Sequence, residues 1–322
     1  MGKYNFLLDT NAYRDLVYGR NSLEFQKEIR SIKLSHQTTD SRFIFSSIVC
    51  IELINHLSET DPAKTECFKA LNYQVNLCST IKNQRARKTL VPEFNELLSL
   101  YFFKKNSTHF NLNNNLYKLA FEISSSNGYN DLKTFKDRIN EVIQYKNSEL
   151  ENIIFNIENY LLKGISNKQN NWEIFRTNQT LKDEFIDLIE REKLHKLYAL
   201  ALVKLTFDKE KINLADLTEN QFKQFNSDFK LSIDFFIKEI LKKLVDINKM
   251  EYFFLPDTDP NNRWNSFYDS QIIMACEFEN NKGRKTKLVT SDHKILNHFK
   301  NHKREDWCIS LDDFSKQLIK ES

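Results

Sequence analysis

The chain has 322 residues, 40% of them apolar and 28% charged, with 26 Phe and 12 Tyr, a supply of large side chains that suits a packed fold and excludes long disorder. At this length two structural units are expected, one inserted in the other. The formal net charge is only +3, which excludes a polycation and confines any nucleic-acid contact to local basic patches.

With 5 Gly and 4 Pro against abundant Leu, Ile, Lys, Glu and Asn, turn-rich β architectures are disfavoured and the class is α/β with a helical excess. Cys50, Cys67, Cys78, Cys276 and Cys308 are odd in number and form no CxxC pair, the pattern of reduced thiols rather than of a zinc site. The first apolar stretch is broken at Asp9 and no later run is long enough to span a bilayer, so no membrane association and a cytoplasmic protein are expected.

In chain order, Tyr4 to Leu8 reads as a short strand, and Asp9-Thr10-Asn11 as its end and the next helix's cap. Helical spacing runs from Tyr13 to Leu34, with a break at Gly19 to Ser22. Arg42 to Phe45 is a second strand, and Ser46 or Ser47 caps a helix carrying Glu52 in its first or second turn. Asp61-Pro62 opens a longer helix to Leu77, with Phe68, Leu71, Val75 and Cys78 as its buried stripe.

From Thr80 to Lys249 the texture is helical, with breaks at Asn106 to Thr108, Ser124 to Asn130, Gly164 to Asn171 and Asp208 to Asn213. Val142 to Leu162 reads as one long amphipathic helix of a bundle. Strands return at Glu251 to Leu255, Lys287 to Thr290 and Trp307 to Ser310, alternating with helices at Phe267 to Glu279, Asp292 to Phe299 and Leu311 to Ile319. That alternation points to a parallel sheet covered on both faces, with its site at the carboxyl ends of the strands. The expected division is 1–80 with 250–322 as the α/β part and 81–249 as an all-helical insertion.

Four acids fall where a metal site would need them: Asp9 after the first strand, Glu52 early in a helix, Asp269 at a helix start, and Asp292 after the strand Lys287 to Thr290. Taken singly, each reads first as a cap or a solvated charge. Their ordered contexts are Leu7-Leu8-Asp9-Thr10-Asn11, Ser46-Ser47-Ile48-Val49-Cys50-Ile51-Glu52-Leu53, the helix start Tyr268-Asp269-Ser270-Gln271, and Leu288-Val289-Thr290-Ser291-Asp292. In that order they resemble the PIN-domain nucleases, over roughly 1–80 and 250–320. The long helical stretch between them departs from the small members of that family.

The resemblance implies a PIN-like parallel sheet flanked by helices and a metal-dependent endoribonuclease. Asp9 and Asp292 would ligate Mg²⁺ or Mn²⁺ directly, and Glu52 and Asp269 directly or through water. Asn11 and Thr290 would orient the carboxylates. Single-stranded or structured RNA is the implied substrate, and an antitoxin or regulator protein and a homodimer are the implied partners, in a toxin or defence setting. The competing readings are a non-catalytic RNA- or protein-binding module and a DNA-directed, flap-type nuclease.

For substrate contact the sequence offers a basic stretch of Lys282, Arg284, Lys285, Lys287, His293, Lys294, Lys300, Lys303 and Arg304, with Arg263 and Trp264 just upstream of Asp269. A solvated surface explains the same residues equally well. A second patch, Lys82, Arg85, Arg87 and Lys88, opens the helical stretch. His298 and His302 share a helical face but have no third ligand of matching type nearby in sequence. Asp312 and Asp313 are expected to cap the last helix.

Overall fold

The computed structural model describes residues 4–39, 42–58, 60–78, 90–105, 110–126, 128–156, 177–189, 191–241 and 260–321. The chain groups into two compact units, Met1–Lys146 with Phe278–Ser322, and Asn147–Glu277. Composition placed the boundaries at 80/81 and 249/250. Composition registers residue type, whereas compactness registers packing, and the helices between Phe94 and Ser125 group with the sheet.

In the first unit, β1 (Asn5–Leu8) buries Leu7 and Leu8 completely. A strand covered on both faces needs a continuous apolar run rather than alternation. It is followed by α1 (Thr10–Val17) and α2 (Ser22–Thr39). Gly19 separates them at φ 67°, a left-handed conformation that glycine adopts without a Cβ penalty.

The expected strand Arg42 to Phe45 divides in two. Its first half, β2 (Arg42–Phe43), pairs in parallel with β1; its second, β3 (Phe45–Ser46), pairs in parallel with β4 (Leu90–Val91) as a separate two-stranded sheet. Ile44 marks the division and still donates its N–H to the Phe6 carbonyl at 2.9 Å. β4 lies in the stretch read as all-helical, a correction to that reading. Two residues carry no period, and only pairing with β3 defines them as a strand.

Ser46 caps α3 (Ser47–Asn55), its Oγ accepting the Val49 N–H at 3.3 Å. The next helix, α4 (Lys64–Cys78), starts after Asp61-Pro62 because Asp61 organises a turn instead: its carboxylate accepts the Ala63 N–H at 2.8 Å and lies 2.8 Å from His56 Nδ1. α4 meets α1, α2, α3 and, across the unit, α6 (Phe110–Ser125), which follows α5 (Phe94–Phe103). With neighbours on several sides it buries Cys67, Ala70, Tyr73 and Leu77 beside Leu71 and Val75, while Phe68 and Cys78 stay half-buried. A helix hemmed in on several sides has no single apolar stripe. A 3-10 segment (Tyr129–Phe135) then leads into α7 (Lys136–Asn156).

The second unit contains α8 (Gln179–Ile189), α9 (Glu192–Lys209), α10 (Glu219–Asp228), α11 (Lys230–Phe236) and most of α12 (Pro260–Asn281). Thr218 and Gln221 form a reciprocal capping box at the start of α10. The interior is aromatic: Phe185, Phe225, Phe229, Phe235 and Phe236 are all but fully buried, and Tyr198 stacks on Phe236 at 4.0 Å between ring centroids. Glu277 is buried beside α11 and accepts from Leu231 N at 2.8 Å, Ser232 N at 3.1 Å and Ser232 Oγ at 2.6 Å. It supplies the first-turn acceptor that α11 lacks in its own sequence, because Phe229 precedes it. The expected strand Glu251 to Leu255 and the patch at Lys82 to Lys88 lie outside the described residues.

Back in the first unit, Gly283 ends α12 at φ 75°, and β5 (Thr286–Thr290), α13 (His293–Asn301), β6 (Cys308–Ser310) and α14 (Leu311–Glu321) follow. The α14 cap is Ser310, whose Oγ accepts the Asp313 N–H at 3.1 Å and donates to the Asp313 carboxylate at 2.8 Å; this corrects the expectation of an Asp312 or Asp313 cap. Among the described residues the main sheet is parallel throughout, in the order β2-β1-β5-β6. Phe6 packs on Phe43 at 5.8 Å and on Phe314 of α14 at 5.2 Å, which ties the sheet to the last helix. No described helix is long and apolar enough to cross a membrane.

Candidate metal centre

The chain leaves β1 for β2 on one side and comes back to β5 on the other. Such a reversal opens a crevice at the carboxyl ends of the two central strands. Leu8 lies opposite Val289, so the residues that follow, Asp9 and Thr290, emerge side by side at that crevice.

Asp9 is 4% exposed and caps α1, its Oδ1 accepting the Ala12 N–H at 2.6 Å. Its Oδ2 accepts the Thr290 hydroxyl, and Thr290 Oγ1 accepts the Asp292 N–H at 2.9 Å. One hydroxyl therefore links two of the acids. Asp292 caps α13, its Oδ1 accepting the Lys294 N–H at 2.6 Å. Glu52 stands in the second turn of α3 and accepts the Thr10 hydroxyl at 2.5 Å.

Burial pushes the Asp9 carboxyl up to about 7, and the like charges of Glu52 and Asp292 push in the same direction, against the Thr290 and Ala12 donors. Capping alone accounts for an aspartate at position 9 or 292. It does not account for an almost wholly buried Asp9 at a strand-end crevice with the charges of both Glu52 and Asp292 acting on it.

The donor set suits a hard divalent cation. Asp9, Glu52 and Asp292 offer oxygen only, and a carboxylate oxygen that accepts one hydrogen bond keeps a second lone pair. Asp269 belongs to the other unit, as the tenth residue of α12, half-exposed. Sequence placed it at a helix start; the helix begins earlier, at Pro260, a residue favoured in the first turn, so Asp269 stands in the third turn.

Asn11 is exposed on α1. The residue that orients Glu52 is instead its neighbour Thr10, which sequence reasoning passed over. A threonine in the first turn of a helix is ordinary, and nothing local shows that α3 lies opposite.

The part of the basic stretch before Asp292 does not gather at the acids. Arg284 and Lys285 precede β5 and Lys287 is its second residue, whereas Asp292 follows its end. At about 3.3 Å per residue, Arg284 and Lys285 stand roughly 16 Å and Lys287 roughly 10 Å from the end of β5. Arg284 is committed besides, holding both oxygens of the buried Glu279 at 3.1 and 2.9 Å. Lys287 lies over the Tyr4 ring at 4.6 Å and Lys282 over the Phe278 ring at 3.7 Å. Arg284, Lys285 and Lys287 thus stand toward the opposite end of β5 from Asp292. His293 and Lys294 do adjoin Asp292 and are exposed. The side chains of Arg263 and Trp264 lie outside the described residues.

His298 and His302 sit with ring centroids 4.6 Å apart at the far end of α13 from Asp292. The chain matches no family model, no curated protein and no solved structure in the comparisons made.

Proposed function

We propose that the chain is a metal-dependent nuclease that hydrolyses phosphodiester bonds of RNA. The observation that carries this reading is Asp9, buried at the β1–β5 crevice with the like charges of Glu52 and Asp292 both acting on its carboxyl. Acids so arranged repel one another, and a bound cation relieves that repulsion. A divalent cation there would supply Lewis-acid polarisation of a phosphoryl oxygen and a lowered pKa for water.

The chain's own residues set the stage for that chemistry. Thr290 holds the Asp9 carboxylate in one rotation and ties it to the Asp292 backbone, while the Thr10 hydroxyl holds one oxygen of Glu52. Orientation of ligands in this way is what outer hydrogen bonds contribute to metal sites. By the resemblance noted above, Mg²⁺ or Mn²⁺ is proposed as the cation.

The test is cleavage of end-labelled single-stranded RNA and of DNA of the same sequence, with Mn²⁺, Mg²⁺ or EDTA, beside an Asp9→Asn/Asp292→Asn protein. Metal-dependent cutting of RNA that the double variant loses supports the proposal. Cutting of DNA in preference to RNA would move the substrate. No cutting and no Mn²⁺ binding would leave a non-catalytic module whose aspartates are helix caps.

A further inference from the structure

The twelve residues His293 to Arg304, HKILNHFKNHKR, contain Lys294, Lys300, Lys303, Arg304 and three histidines, and no acid. Folding sorts them. Ile295 and Phe299 are buried against the sheet, while His293, Lys294, Asn297, Lys300, Asn301, Lys303 and Arg304 are exposed. At 100° per residue, His293, Asn297 and Lys300 fall on one line, with Lys294 and Asn301 alongside.

The far end of this line is built rather than frayed. Lys303 takes the left-handed conformation at φ 56°, Arg304 N–H reaches back to the Phe299 carbonyl at 2.9 Å, and the Arg304 guanidinium lies 4.6 Å over the Trp307 ring. That is a Schellman-type termination, and the cation over the indole holds a charge at the end of the row. The near end is Asp292. The exposed acids Glu305 and Asp306 come only after the row has ended.

We infer that the outward face of α13 is a phosphate track for single-stranded nucleic acid, running from the carboxylate crevice at Asp292 to Arg304. The inference rests on the nuclease reading for which phosphate reaches the crevice; the binding it describes stands without turnover. Exposed cations spaced along one face suit a flexible polyanion, whose phosphates can follow them. Asn297 and Asn301 put amides between the cations, where sugar and base edges would pass. Continuity with the crevice favours a nucleic acid over an anionic membrane, which would have no use for an adjoining cluster of acids.

The experiment is binding of a fluorescent twelve-nucleotide single-stranded RNA in EDTA, where nothing is cut, from about 50 to 200 mM salt. The probes are the wild-type chain, Lys294→Gln/Lys300→Gln/Arg304→Gln, and Lys27→Gln/Arg30→Gln/Lys118→Gln, which removes the same charge from exposed positions on α2 and α6. For single strands each phosphate contact contributes about 0.7 to the slope of log affinity against log salt. The track variant should lose about 2 from that slope, so that across a fourfold rise in salt the wild type loses about 20-fold more affinity than the variant does.

The control triple should keep the wild-type slope, and circular dichroism should report all three proteins folded. An unchanged slope in the track variant, or an equal loss in the control, overturns the track. So does binding to phosphatidylserine vesicles without binding to the oligonucleotide. A track that binds RNA in a protein that never cuts it would refute the nuclease reading alone, and cutting with no effect of the triple variant on binding would refute the track alone.

Discussion

Thr290 donates its hydroxyl hydrogen to Asp9 across 281 positions of sequence, and the same oxygen accepts the backbone N–H of Asp292. Thr290→Val keeps the shape of the side chain and removes both functions. The buried Asp9 oxygen then loses its donor, an effect of about 1–3 kcal/mol on stability, read by urea denaturation. Loosening a ligand's orientation in this way should also lower Mn²⁺ affinity about 10- to 100-fold by titration calorimetry. Unchanged affinity would remove Thr290 from the proposed centre.

Asp9 also sets a pH dependence. Its carboxyl ordinarily titrates near 3.8 and is raised to about 7 in the fold, first by burial. Between those values the folded protein holds a proton that the unfolded chain has released, so stability without metal falls as pH rises from about 4 to about 7 and levels off above it, by at most about 1.4 kcal/mol per pH unit. Glu277, raised to about 8 mainly by burial, adds a fall of the same sign that extends to that pH. Urea midpoints measured in EDTA across pH 4 to 8 check the direction, and a stability that climbs over this range contradicts it.

Asp9→Asn should separate stability from function. The amide oxygen still accepts the Ala12 N–H, and no charge is left to repel Glu52 and Asp292. In EDTA at pH 8 the variant should melt higher than the wild type. Millimolar Mn²⁺ should raise the wild-type Tm and leave the variant's in place, while cleavage falls at least about 100-fold. A variant that melts lower in EDTA would mean that Asp9 acts chiefly as a cap.

In the second unit, Glu277→Leu deletes an acceptor shared by two backbone N–H groups and one hydroxyl at the start of α11. Orphaned donors in an apolar interior cost about 1–3 kcal/mol each before relaxation. A loss of about 3 kcal/mol is expected, with hydrogen exchange faster at Leu231 and Ser232. Exchange protection unchanged there would show that another acceptor takes over.

Arg284→Gln tests whether that arginine is structural. It leaves Glu279, whose side chain is 2% exposed, without the guanidinium that holds both its oxygens. Because Arg284 itself is 50% exposed, solvent screening limits the loss to about 1–2 kcal/mol. Thermal melts should show it without any metal present.

Much of the local structure was legible because its signals act within a turn or two. The apolar run before Asp9 marked a strand end, Ser46 a helix cap, Gly19 a break, and Leu288 to Thr290 the last residues of another strand. Each depends on side chains a few residues apart, which periodicity and capping report directly. Signals of that range gave no warning that Arg42 to Phe45 would divide between two sheets, or that Leu90–Val91 would pair with its second half.

By itself, then, the sequence determined which residues begin and end most strands and helices, and so that Asp9 and Asp292 stand at strand ends. Tertiary structure alone decided the rest. Parallel pairing of β1 with β5 brought Thr290 to Asp9, the approach of α1 to α3 brought Thr10 to Glu52, and the direction of β5 set Arg284 and Lys285 at its far end from the acids and the start of α13 beside them. The physical reason is one of range. A cap or an apolar stripe is fixed by neighbours in the chain, whereas a side chain's partner across 281 positions depends on which strand edge the returning chain finds.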